Sequence, residues 1–177
     1  DSREVFMDPR IKKVPPKIGW YLAGFADGEG SFNVVLRKRE DYRLKWKVSL
    51  CFNVSQKERV ILALFKRHLG CGTLRQREDG IYYYEVNNFN AIVNNVIPFF
   101  ERFGFLSATK KKVFSKFKKI AELMQEGKHL TVDGLIEILK IRQKMNDGGK
   151  RDHTYEEVVS DLLGKSSEAI RQVPRRT

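Results

Sequence analysis

Residues 22–30 read LAGFADGEG, set in the longer run GWYLAGFADGEGSFNV from position 19 to 34. The small and apolar residues predict a helix that starts near Ile18, carries Trp20, Tyr21, Leu22 and Phe25, and stops around Glu29, where Gly28 and Gly30 break it. A glycine inside a helix costs about 1 kcal/mol relative to alanine, so this stretch is poor if its only task is to fold. Its composition asks for close backbone approach along the helix and for two carboxylates, Asp27 and Glu29, at its tip.

Directly after the helix the period changes from helical to two. In SFNVVLRKR, residues 31–39, Phe32, Val34 and Leu36 point one way and Asn33, Val35, Arg37 and Arg39 the other. The run KWKVSLCFNV, residues 45–54, repeats the pattern, with Trp46, Val48, Leu50, Phe52 and Val54 opposed to Lys45, Lys47, Ser49, Cys51 and Asn53. The intervening EDYR makes these strands a hairpin. Ser55 and Glu58 form a capping-box signature that opens a helix through VILALFKRHL, closed by Gly70. A second hairpin follows, from 72–77 through a turn at Glu78, Asp79 and Gly80 to 81–87, with Thr73, Arg75 and Arg77 on one face beside Tyr83 and Glu85.

Residues 90–126 read as helical, interrupted at Pro98 and near Gly104, and TKKKVFSKFKK within them has a dense basic face. Thr131 caps a further helix that ends at Asn146, and Thr154 with Glu157 repeats the capping signature for one short helix in the tail. Before position 18, Pro9, Pro15 and Pro16 predict an extended arm, laid on the body or mobile. The expected organisation is an α+β domain over 18–146 on a four-stranded antiparallel sheet, a basic arm at 1–17, and a tail at 147–177. Lys12, Lys13, Lys17, Lys150, Arg151, Arg175 and Arg176 give the arm and tail cations able to hold a polyanion's flanks.

Lys plus Arg number 34 against 22 acids, a formal charge of +12, and the pI is about 9.8. Charge alone decides little, but its distribution does. The sheet face away from the apolar one collects Arg37, Arg39, Lys45, Lys47, Arg75 and Arg77 against the single acid Glu85, with Val35, Ser49 and Tyr83 among them. A solvated face normally mixes signs, so this stripe points to nucleic acid, with Asn33, Asn53, Arg75 and Arg77 placed to read base edges. Cys51 and Cys71 form no CxxC pair and no zinc cluster, which predicts a reduced, intracellular setting. No apolar run reaches the roughly eighteen residues of a membrane span, and no apolar signal core precedes the domain.

Position by position, LAGFADGEG resembles the LAGLIDADG motif of homing endonucleases, and FNVSQKE at 52–58 and KHLTVDGLIEILKIRQKMN at 128–146 resemble the same family's single-motif core. The resemblance implies an α-β-β-α-β-β-α core with a saddle-shaped sheet. It also implies a homodimer formed through the motif helix, with Leu22, Ala23, Gly24, Phe25 and Asp27 at the interface and a palindromic or near-palindromic double-stranded DNA target. Glu29 becomes the metal ligand and catalytic acid, with the Gly28 carbonyl as second contact, while Asp27 braces the helix end. Gln56 takes the position that orients solvent. Lys110 or the adjacent Lys111 supplies the basic residue. The implied cofactor is Mg²⁺, with Mn²⁺ as substitute and Ca²⁺ binding without supporting cleavage, and the implied setting is a prokaryotic cytoplasm or an organelle. An RNA-splicing maturase or a non-cleaving regulator is the alternative carried by the same resemblance.

Overall fold

In the computed structural model, which describes residues 6–145 and 153–171 with side chains to Gly164, the first element is one helical turn, Pro9–Lys12 (α1). The expectation of an extended arm is corrected here. Pro9 occupies the first turn, where its missing N–H has no partner to lose, and the Asp8 carboxylate caps the Arg10 N–H at 2.8 Å. The segment is laid on the body: Ile11 and Val14 are buried, and the Asp8 carboxylate accepts from Asn95 Nδ2, which also donates to the Leu69 carbonyl.

The motif helix, Pro16–Glu29 (α2), starts two residues earlier than the sequence predicts, again behind an N-terminal proline. It passes without a linker into the strand Gly30–Lys38 (β1). Gly30 makes that junction possible, since a Cβ there would lie 2.7 Å from the Ala26 carbonyl oxygen. β1 pairs antiparallel with Trp46–Gln56 (β2), from Gly30↔Val54 to Lys38↔Trp46. After the helix Arg59–Leu69 (α3) come Thr73–Gln76 (β3) and Tyr82–Val86 (β4), and the sheet order is β1-β2-β4-β3. The capping box at Ser55 and Glu58 does not form. Ser55 and Gln56 stay in β2 because they pair with Tyr83 and Tyr82 of β4, and α3 starts behind Glu58, whose side chain caps nothing. Sheet pairing here outcompetes a local hydrogen bond. Gly70 closes α3 at φ 71°, as its type predicts.

Pro98 does not interrupt the next helical segment. Phe89–Ala91 (α4) widens into a π turn at Ile92–Val96 and continues as Ile97–Arg102 (α5). The proline ring excludes the ordinary α-helical bond to the Asn94 carbonyl, and that oxygen instead accepts the Asp8 N–H at 3.0 Å. The predicted break near Gly104 is present. Ser107 then caps Ala108–Gln125 (α6), and Thr131 caps Val132–Gln143 (α7). The tail helix, Tyr155–Arg171 (α8), is 17 residues long rather than short, and it begins where Thr154 Oγ1 accepts the Glu157 N–H. Its Val158 and Leu162 are buried, and Asp161 accepts the Trp46 Nε1–H at 2.8 Å. Asn146, Lys150, Arg151, Arg175 and Arg176 lie outside the described residues.

One face of the sheet is dry. Against it Phe32, on the edge strand β1, is the hub of an aromatic cluster, with ring centroids 5.0–5.8 Å from Phe52, Phe100, Phe105, Phe114 and Phe117. Aromatic pairs of this kind contribute about 0.5–1.5 kcal/mol each beyond area burial. The alternating burial along β1 and β2 leaves the opposite face open.

Candidate functional site

Glu29 is the last residue of α2, exposed, and among the described residues its side chain makes no hydrogen bond or ion pair. Beside it, Lys110 Nζ donates to the Gly30 carbonyl, bringing a half-buried cation to the junction between α2 and β1. Burial pulls the Lys110 ammonium below its ordinary range, and Asp27 and Glu29 oppose that pull. Lys111 is exposed, so helix phase separates two lysines that the sequence could not.

Asp27 is committed within the chain. Its Oδ2 accepts the N–H groups of Leu106 and Ser107 at 3.1 and 3.0 Å, and Oδ1 accepts the Ser107 hydroxyl. Desolvation raises its carboxyl, but the bonds from Ser107 and Leu106 outweigh this and leave it below the usual range. It braces the start of α6 rather than the end of its own helix. Gln56 closes β2 two residues beyond Val54, the partner of Gly30, which places it at the Glu29 end of the sheet. Its Oε1 accepts the Lys57 N–H.

The open sheet face is built in rows by the register. Arg37 faces Lys47, Val35 faces Ser49, Asn33 faces Cys51, and Ser31 faces Asn53, which in turn faces Glu85, itself opposite Thr73. Arg75 lies opposite Tyr83 with its guanidinium 5.2 Å from the ring centroid. The like-charged pair Arg37 and Lys47 is unfavourable in isolation, and it fits a face whose counter-charge comes from outside. Three predicted contacts fall off the strands. Arg39 is paired with Asp41, Lys45 with Glu40, and Arg77 with Asp79, each in a hairpin turn where the acid lies close in sequence. Asn87, which extends β4 and donates to Glu85 at 3.0 Å, was not foreseen; one more step of the strand's alternation would have found it. Burial pushes the Cys51 and Cys71 thiols up to about 11, which keeps both protonated near neutrality.

Of the residues expected at the interface, Leu22 and Ala23 are buried in their own chain, Phe25 packs with its ring centroid 6.3 Å from that of Phe65, and Asp27 is bound to the start of α6. Gly24 faces outward, and Trp20, Tyr21 and Gly28 share its face; a Cβ at either glycine would meet nothing within 4 Å. Their spacing of three and four residues is that of one helix face.

A model of the LAGLIDADG endonuclease family matches residues 22–121, from the motif helix through α6. The chain belongs to the LAGLIDADG endonuclease family. Among relatives, a probable intron-encoded endonuclease of Neurospora crassa is 33% identical over 132 residues, covering 72% of this chain and 29% of its own length. The homing endonuclease I-ApeII of Aeropyrum pernix is 27% identical over 146 residues, covering 78% of this chain and 86% of its own. The chain thus spans less than half of the fungal relatives, at 29%, 25% and 44% of their lengths. Among solved structures, the archaeal intron-encoded homing endonuclease I-Vdi141I complexed with DNA superposes with a TM-score of 0.76 at 29% identity, over 85% of this chain and 97% of that one. The LAGLIDADG architecture accounts for the α+β fold, with α2 leading into the first strand of the antiparallel sheet.

Proposed function

We propose that this chain is a site-specific double-stranded DNA endonuclease that acts as a homodimer on a near-palindromic intron-homing site. One observation carries the reading: an uncommitted carboxylate stands at the tip of a helix whose outward face is small, beside a half-buried lysine and at the end of a basic sheet face. Two copies crossing at Gly24 and Gly28 would bring two Glu29 residues together at the twofold axis.

The donor set fits a hard divalent ion. Glu29 is an exposed carboxylate, and Asp27 beside it is taken up by Leu106 and Ser107, so in a twofold dimer the second Glu29 would complete the oxygen set. Mg²⁺ takes one or two carboxylates and the substrate phosphate, with Mn²⁺ as substitute and Ca²⁺ supporting binding alone. When bound, it neutralises charge at the scissile phosphate and acidifies the attacking water. The protein's own part is positional. Glu29 and the Gly28 carbonyl would hold the ion, Gln56 would orient solvent, and charged Lys110 would stabilise negative charge developing on the phosphate. Asn33, Val35, Arg37, Lys47, Ser49, Asn53, Arg75, Tyr83 and Glu85 would line the major groove.

The test is cleavage of a randomised duplex library with Mg²⁺, beside Glu29→Gln and a Ca²⁺ control. Cuts at a twofold-symmetric site that vanish in the variant while binding persists are expected. Cutting that survives Glu29→Gln, or no cutting with either Mg²⁺ or Mn²⁺, would overturn the reading.

A further inference from the structure

Glu85 is the one acid on the open sheet face among the described residues, where the other charged positions are Arg37, Lys47 and Arg75. An anion there works against phosphate binding, so its use on such a face is to accept from a base edge rather than to meet the backbone. Its surroundings donate: Asn87 Nδ2 gives an N–H to Oε1 at 3.0 Å. The Tyr83 hydroxyl and the Cys51 thiol also bond the Glu85 side chain, and they are pushed up to about 12 and about 11, first by burial and then by that carboxylate among other causes.

We infer that Glu85 reads a cytosine in each half of the target, by accepting a hydrogen bond from the cytosine N4 amino group in the major groove. An ionised carboxylate only accepts. Guanine offers it two acceptors, thymine an acceptor and a methyl group, and adenine a donor beside its own N7 acceptor; cytosine alone presents a donor with no acceptor on its own major-groove edge. The register locates this contact. Glu85 faces Asn53, which faces Ser31, two residues beyond Glu29. The cytosine therefore lies towards the centre of the site, and the Arg37–Lys47 row at the hairpin end serves its flanks.

This inference rests on the nuclease reading, and one experiment separates the two. A randomised duplex library is selected for binding in Ca²⁺ by the wild-type chain and by Glu85→Gln, and the bound pools are sequenced. The wild type should enrich cytosine at one symmetric position. The variant should lose about fivefold or more of that preference at this position alone, while its affinity for random duplex rises because one repulsive charge is gone. The unchanged positions serve as the folding control. A variant profile identical to wild type, a uniform loss at every position, or a target without a symmetric cytosine would overturn the inference and leave the nuclease reading standing. A wild-type chain that binds no duplex would overturn both.

Discussion

At the scale of single residues, two positions carry the chemistry that the geometry makes testable. Lys110 is half-buried on the Gly30 carbonyl and its ammonium is held below its ordinary 10.5, so its charge is lost on raising the pH through that lowered value. Cleavage by the wild type should fall on this alkaline limb, and Lys110→Arg should move the limb upward in a pH–rate profile. Lys110→Met should lower the rate by about 10²–10³-fold, whereas the exposed Lys111→Met should leave it within about threefold. Asp27 gives the opposite sign. Its carboxyl titrates below the ordinary 3.8 in the folded chain, so its contribution is complete above that value and is lost as the pH falls through the lowered one. Asp27→Asn should cost about 1 kcal/mol near neutrality, measured by urea denaturation, and the difference should vanish once the pH has fallen below that lowered value. Glu29 and Asp27 were both legible as acids at a helix tip. The choice between Lys110 and Lys111 was not, because a run of three lysines has no phase until the helix carrying it is docked.

Among the elements, α2 makes the sharpest prediction. Gly24 and Gly28 face outward with no neighbour to meet a Cβ, so their absence of a side chain serves nothing inside one chain. Gly24→Leu should leave the monomer folded, with helix propensity improved by less than about 1 kcal/mol, yet sediment as a monomer and lose cleavage. A variant that still dimerises and cuts would remove α2 from the interface. The phase of this helix was hidden because Trp20, Tyr21, Leu22, Ala23, Phe25 and Ala26 are apolar nearly all round, leaving no polar stripe to mark the inner face. The strands were legible because one face is dry and the period is two. Thr131 and Thr154 were legible as caps because nothing competes for their backbone groups. Ser55 failed as a cap because β4 took its backbone instead, a long-range partner that local sequence does not display. For Pro98, the rule that proline ends a helix gave way to a wider turn that rehouses one carbonyl.

For the whole molecule, the charge of +12 becomes a measurable salt dependence. In the proposed dimer, with Arg37, Lys47 and Arg75 presented by each copy, about six or more phosphates would be neutralised, and duplex affinity should fall by about 10³-fold or more between about 50 and 200 mM salt. Glu29→Gln is the protein for that titration, because the duplex then survives the measurement. A flat response would mean that the open sheet face does not meet the DNA backbone. The α+β organisation was readable from the order of periods alone, whereas the docking of α8 was not, since its anchors, Trp46 and Asp161, are far apart in the chain. That anchorage has an optical consequence. The chain has two tryptophans: Trp20 stands 58% exposed on the outer face of α2, and Trp46 is 3% exposed, its ring edge-on to His153. Their emission separates by solvent polarity. The red component reports whether a second copy covers α2, and the blue component reports whether the last helix remains seated, so assembly and tail docking can be followed in one spectrum without an added label.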